Sequence, residues 1–258
     1  NIAFPDGRVL IGAGGFPASP PRLRDGAAVT GLDASHFELR DDGRPQRVEL
    51  LAVEDMPLTT ILVFDASDSV RGPKLAALRA AAGAFLDGLR PLDEVGLLAF
   101  SEEVRWLARP SADKDVARAA LSGLPAKGAT ALWEAVSAAI TVLPTASRAL
   151  VVVFSDGQDN MSWLDAARVH AQAARSNALV QAVGIAAPSP LGEPAHVEDL
   201  RRLAETTGGR LWPATSPERL GAAFRAIVEA MNTRYLLRYD PGPDAKPGWH
   251  RVEVRVKG

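Results

Sequence analysis

The chain has 258 residues, 47% hydrophobic and 23% charged, an ordinary globular composition with length for one large core and a smaller unit. A formal net charge of −2, with the two signs interspersed, excludes the basic field of a nucleic-acid binder. Cysteine is absent, which excludes disulfides, thiolate metal sites and a cysteine nucleophile, and no apolar run approaches the ~20 residues that span a bilayer. Asn1 rather than Met opens the sequence, which points to a processed or trimmed N-terminus from which an export signal would already be gone.

Residues 1–22 are rich in Gly and Pro and carry little patterning. Gly12-Ala13-Gly14-Gly15 follows the apolar Val9-Leu10-Ile11 and has the look of a dinucleotide loop. Pro17, Pro20 and Pro21 then fall where the phosphate-binding helix would run, so the reading is a loop. From Leu23 to Val53 the signals are short strands and turns. Asp25-Gly26 and Asp42-Gly43 are turn dipeptides; Phe37 and Leu39 alternate with polar neighbours before the second turn, and Val48 and Leu50 do so after it.

The character changes at Thr59. Ile61–Phe64 and Val95–Phe100 are continuous apolar runs, the mark of strands covered on both faces, and Arg148–Phe154 is the most strand-like stretch of all. Val104–Leu107 reads as a short strand beside the second run. Between the runs, Leu75, Leu78, Ala82, Phe85 and Leu89 recur at helical spacing, as do Leu132, Val136, Ile140 and Leu143. A further helix is expected from Ser162, whose hydroxyl and Asp165 fit a capping box. Then follow a strand at Ala178–Ile185, a helix at Val197–Ala204, a short strand at Leu211-Trp212 and a last helix opened by Ser216 and Pro217. Strands alternating with helices predict a doubly wound, mostly parallel α/β sheet flanked by helices. Beyond it Tyr235, Leu237 and Tyr239 alternate, as do Val252, Val254 and Val256, with Pro241, Gly242, Pro243 and Gly248 between. The expected division is an N-terminal β segment (1–57), an α/β domain (58–232) and a C-terminal β-hairpin (233–258). Neither β segment buries its apolar face alone, so the two are expected to pack together as a small β-domain.

In an open α/β sheet the ligand crevice lies at the carboxyl ends of the strands. Three loops there carry oxygen-bearing side chains: Asp65-Ala66-Ser67-Asp68-Ser69 after the first run, Gly128-Ala129-Thr130 at the mouth of the Leu132–Leu143 helix, and Asp156-Gly157 after Val151–Phe154. Ser67 and Ser69 are two apart, so extended backbone sends both hydroxyls to one side. Two carboxylates and three hydroxyls converging on one point suit a hard, oxygen-loving cation. Neutral hydroxyl ligands leave such an ion electrophilic and receptive to an anionic oxygen from outside.

This pattern resembles the metal-ion-dependent adhesion site of von Willebrand factor A domains, whose motif is D-x-S-x-S followed by a distant T and then a D. The resemblance covers residues 58–240; Thr130-Ala131-Leu132, Phe154-Ser155-Asp156-Gly157, Thr207-Gly208-Gly209 and Tyr235 are similar to further landmarks of the family. The layout is most similar to bacterial members in which a β segment precedes the domain, on Val29-Thr30-Gly31-Leu32, His36-Phe37-Glu38-Leu39 and Asp41–Gln46. The resemblance implies a non-enzymatic adhesion or assembly module. Its cation, Mg²⁺ with Mn²⁺ or Ca²⁺ as alternatives, would be held by Asp65, Ser67, Ser69, Thr130 and Asp156. Ser67 and Ser69 would bind directly, Asp65 and Asp156 mainly through waters, and Thr130 would come into direct contact when a ligand binds. The implied partner is a protein offering an Asp or Glu carboxylate, and the implied location is the cell envelope or beyond. Asp68 departs from the pattern, standing where such domains usually carry Gly.

An apolar strand followed by an acidic loop also begins haloacid-dehalogenase-type phosphatases, so a metal-dependent hydrolase is the alternative. Those enzymes need a second Asp where this chain has Ser67, and no Walker loop or Ser-His-Asp arrangement occurs. A scaffold whose cation is purely structural is the other alternative. His36, His170, His196 and His250 read as surface or packing residues, Asp159 and Asn160 as turn residues with contact to the metal ligands as the alternative, and Trp163 as a candidate for the rim of a binding face.

Overall fold

The computed structural model describes residues 2–3, 8–11, 31–51, 56–124, 127–144, 148–155, 158–184, 195–232, 235–240 and 251–257, with backbone alone at 2–3, 8–11, 51, 195–196 and 236. The chain divides into two compact units, one of residues 57–228 and one of residues 1–56 with 229–258. The glycine-rich stretch at 12–15 and the Asp25-Gly26 turn lie outside the described residues.

The N-terminal segment supplies strands β1 (Ile2–Ala3), β2 (Arg8–Ile11), β3 (Phe37–Asp41), β4 (Arg44–Gln46) and β5 (Val48–Leu51). Asp42 (φ 47°) and Gly43 (φ 79°) turn β3 into β4. Both are left-handed, as a two-residue hairpin turn requires, which is why an Asp-Gly pair stands there.

The larger unit opens with β6 (Leu58–Asp65), α1 (Pro73–Gly88), β7 (Glu94–Phe100), β8 (Val104–Ser111) and α2 (Lys114–Ser122). It continues with α3 (Leu132–Val142), β9 (Arg148–Ser155), α4 (Ala166–Ala174), β10 (Ala178–Gly184), α5 (Ala195–Thr207), β11 (Leu211–Pro213) and α6 (Pro217–Asn232). Its six strands lie in the order β11-β10-β9-β6-β7-β8, all parallel except the antiparallel edge strand β8. Every residue of β6, β9 and β10 is buried, because helices cover both faces. Ile61, Val63, Val151 and Val153 pack beneath α3, α4 and α5. On the opposite face Phe64 stacks on Phe154, and Phe154 on Phe224 of α6, whose ring meets Phe85 of α1 edge-on. Full burial of each such side chain contributes roughly 1.5–3 kcal/mol, so the alternating faces of β6 and β9 anchor the unit. The sheet is the doubly wound, mostly parallel one that the sequence predicts.

The last strands, β12 (Tyr235–Tyr239) and β13 (Val252–Val256), correct one expectation. They do not form a hairpin with each other. β12 lies between β2 and β5 in a four-stranded antiparallel sheet, and β13 pairs with β3 in a three-stranded one. Residues 241–250 separate them, and a connection of that length imposes no pairing, whereas the edges of β2, β5 and β3 offer ready ladders. Leu39 and Tyr239 form the buried centre of this unit, with Val48, Val252 and Val254 against them. A second correction concerns Ser162. The cap of α4 is Asp165, whose side chain accepts from Arg168 N, and Ser162 serves a different helix.

Candidate metal centre

Strand order reverses around β6: the chain moves to β7 on one side and returns through β9 on the other, which opens a crevice at the carboxyl ends of β6 and β9. The pairing that sets Phe64 opposite Phe154 brings the next residues, Asp65 and Ser155, face to face. Ser155 Oγ donates to Asp65 Oδ2 at 2.8 Å, and Ser67 N donates to Asp65 Oδ1 at 2.9 Å. The second bond turns the chain out of the strand, as a carboxylate accepting from the backbone two residues on characteristically does. Ser67 is extended, and residues 68–70 then form a single 3-10 turn. The hydroxyls of Ser67 and Ser69 meet at 3.0 Å. They share a side as the sequence predicts, although a turn rather than continuous extended backbone brings them together. Asp65 is 0% exposed and Ser67 2%, while Ser69 is exposed.

The second loop is bound to the first through the backbone: Lys127 N donates to Ala66 O at 2.7 Å and Asp68 N to Gly128 O at 3.1 Å. Gly128 has φ 96°, and a Cβ there would meet the Glu102 carboxylate at 3.0 Å, so glycine permits both the turn and the close approach. Two residues on, Thr130 is 5% exposed, and Ala131 N donates to Ser101 O at 2.8 Å, holding the loop to the end of β7.

Asp156 and Gly157 of the third loop lie outside the described residues. The residues that follow are described, and they do more than turn the chain. Helix α3 begins after Ala131, which offers no side-chain cap, and its first N–H groups need acceptors. Asn160 Oδ1 accepts from Thr130 N at 2.8 Å, Asp159 Oδ1 from Leu132 N at 3.0 Å and Ser162 Oγ from Trp133 N at 3.0 Å. Thr130 O in turn accepts from Asn160 N and Met161 N. Glu134 of α3 reaches back the other way, accepting from Trp163 N and, at 2.7 Å, from Leu164 N. Burial pushes the Glu134 carboxyl up, but hydrogen bonds from Ser162 and the backbone N–H groups around it outweigh burial and hold it below its ordinary value. The sequence reading takes Asp159 and Asn160 for turn residues first and for supports of the metal ligands second. Their partners lie roughly a helix and a strand away in the chain, and no local spacing reveals them.

Asp68, the departure from the motif, is exposed and pairs with Arg71 at 2.5 Å. That pair answers the extra negative charge locally, at a solvated position where it adds little to stability.

Among the described residues no three His, Cys, Asp or Glu side chains gather to hold a metal, and the oxygens that do gather are hydroxyls and one carboxylate. That donor set fits a hard cation with several waters of its own.

Residues 60–158 match the family model of the von Willebrand factor type A domain. Among curated proteins, a UPF0353 protein of Mycobacterium marinum is 26% identical over 224 residues, 76% of this chain and 65% of that protein. The chain thus spans just under two thirds of the length of the curated relatives it matches. Two solved structures share the fold: an aerotolerance-related membrane protein of Bacteroides fragilis and a von Willebrand factor type A protein of Catenulispora acidiphila. The first has a TM-score of 0.56 at 18% identity, over 68% of this chain and 98% of that one. The second has a TM-score of 0.56 at 17% identity, over 90% of this chain and 51% of that one. With its central sheet and two helical layers the chain shares the fold of von Willebrand factor type A domains, and residues 60–158, from β6 through β9, are similar to that family in sequence.

Proposed function

We propose that this chain is a divalent-metal-dependent protein-binding module whose cation, held at the crevice between β6 and β9, receives a carboxylate from a partner protein. Domains of the family are generally protein-interaction modules. The observation that carries the metal reading is the buried Asp65 beside the paired hydroxyls of Ser67 and Ser69. Asp65, Ser67, Ser69 and Thr130, with Asp156, would hold Mg²⁺ or a cation of similar hardness. Bound there, the ion would supply an electrophilic position for an acidic side chain of the partner. The protein's own part is to fix the ligands: Ser155 and Ser67 N orient Asp65, and the bonds to Ala66 and Asp68 keep the Thr130 loop in register. Met161 and Trp163, 46% and 96% exposed, stand on the segment bonded to Thr130 and offer apolar contact beside the ion. An exposed aromatic next to a charged anchor is the composition of an interaction hot spot. A binding module rather than a phosphatase-like hydrolase is the reading, since Ser67 stands where those enzymes carry their second Asp.

Location outside the cytoplasm is part of the same proposal. It rests on the family and on the B. fragilis structure of similar fold, which is described as a membrane protein. Among the described residues of this chain, no helix is long and apolar enough to cross a membrane.

Thermal melts in EDTA and in millimolar Mg²⁺ test the metal. A cation at 100 times its dissociation constant adds about 2.7 kcal/mol, a rise of roughly 5–11 °C for a domain of this size. The rise is expected in the native chain and lost in Asp65→Ala and in Ser69→Ala; Ser69 is exposed, so its variant leaves the core intact. Equal melts in EDTA and Mg²⁺ for the native chain would overturn the reading.

A further inference from the structure

We propose that Asp159, Asn160 and Ser162 are positioning residues for Thr130, and that they join it to the exposed Met161 and Trp163 as one rigid piece. The inference rests on the metal reading above and extends it to residues outside the motif. Three side chains of the segment after β9 accept from three N–H groups at and just before the α3 start, those of Thr130, Leu132 and Trp133, at 2.8–3.0 Å. The backbone returns the contact, with Asn160 N at 3.0 Å and Met161 N at 3.1 Å from Thr130 O. Glu134 closes the far end by accepting from Trp163 N and Leu164 N. Thr130 is therefore bonded on both its N–H and its C=O to the segment that carries Met161 and Trp163. A shift of Thr130 toward the ion has to carry that segment along or break this set of bonds. Occupancy of the metal site and presentation of Trp163 to a partner are coupled by construction.

Interlocking of this kind explains why the N-terminus of α3 has no cap of its own. Its orphan N–H groups are used to register one ligand loop against the next. Asn160 itself is exposed, so its removal leaves no cavity and isolates the positioning role from packing.

The test uses Mn²⁺ binding, read by the electron paramagnetic resonance of the free ion, and amide exchange with and without Mg²⁺. Asn160→Ala is expected to raise the Mn²⁺ dissociation constant roughly tenfold. Asn160→Asp, which keeps the accepting oxygen, is expected to bind at least as tightly as the native chain. In EDTA, exchange across 128–133 is expected to quicken in Asn160→Ala while its melting temperature stays close to native. Adding Mg²⁺ is expected to slow exchange across 158–164 together with 128–133 in the native chain, and across 128–133 alone in Asn160→Ala. A native chain that binds Mn²⁺ with an affinity the alanine variant shares would overturn the positioning role. Mg²⁺-bound native chain with unaltered exchange across 158–164 would overturn the coupling. No Mn²⁺ binding by the native chain would instead overturn the metal reading on which both stand.

Discussion

Asp93 lies at the opposite end of the sheet from Asp65, just before β7, and is 1% exposed. Its Oδ1 accepts from Leu58 N at 2.9 Å and from Arg90 Nη2 at 2.8 Å, and its Oδ2 accepts from Arg90 N at 2.9 Å. Burial pushes this carboxyl up, yet the Arg90 guanidinium and the two backbone N–H groups outweigh it and hold the group below its ordinary value. Arg148, opposite Leu58 in β9, is pushed down to about 10 by burial and by the charge of Arg90, with Asp93 acting in the other direction. One carboxylate thus compensates two guanidinium groups where β6, β7 and β9 begin. Asp93→Ala removes the anion and is expected to cost about 3 kcal/mol, read by urea unfolding at pH 7. Because its pKa is lower in the folded chain than in the unfolded one, the stabilisation is complete above the ordinary carboxylate range, about 4. It is lost as the pH falls through the depressed folded value. Native stability should therefore fall more steeply with acid than that of Asp93→Ala, and parallel acid limbs in the two proteins would show that Asp93 does not carry this dependence.

The end of α5 shows the same economy across a whole element. Gly208 (φ 80°) and Gly209 close the helix, with Gly208 N on Glu205 O at 3.0 Å and Gly209 N on Ala204 O at 2.8 Å, the bond pair of a Schellman turn. Thr207 Oγ1 accepts from Val180 N at 2.8 Å, so the turn is sewn to β10. A Cβ at Gly209 would stand 1.8 Å from Val180 O, and backbone atoms cannot step aside as a side-chain tip can. Gly209→Ala is expected to destabilise by about 3 kcal/mol, lowering the denaturant midpoint without changing the slope; a near-native midpoint would mean that the turn yields. Such elements differ in how plainly the sequence announces them. β6, β7, β9 and β10 are legible as apolar runs because both their faces are covered, and α1 and α3 because their buried stripes are long. Helix α2 is not, since only Ala117 and Leu121 turn inward and a two-residue stripe has no period to read. At the candidate centre, Asp65, Ser67, Ser69 and Thr130 are legible as residues of loops that a parallel sheet brings to one crevice. Asp159, Asn160 and Ser162 are not, because a side chain that caps someone else's helix looks, along the chain, like one that makes a turn.

At the scale of the whole molecule, the chain ends behave unlike the centre. The α/β unit is contiguous, with a core drawn from its own strands and helices, whereas the smaller unit is assembled from both termini. β12 is the partner of β5 and the second partner of β2, and β13 is the second partner of β3. Arg238 of β12 also pairs with Glu49 of β5, and Tyr239 donates to Asp41 of β3 at 3.2 Å. Alternating patterns in the sequence show that these strands have one wet face each. They do not say which edge each strand joins, because pairing between distant segments leaves no local mark, and that is why two separate strands read as a hairpin. A chain ending at Asn232 removes β12 and β13 together. Among the described residues β5 then has no ladder, β2 keeps only the two-residue pairing with β1, and the β3–β4 hairpin stands alone, a size that is marginal in water. The shortened chain is expected to keep the Mg²⁺-dependent rise in melting temperature, which belongs to residues 57–228. Limited proteolysis is expected to cut it within residues 31–51 faster than it cuts the unshortened chain. Loss of the Mg²⁺ response on truncation would show instead that the α/β unit depends on the terminal strands for its own stability, a dependence that its contiguous core gives no reason to expect.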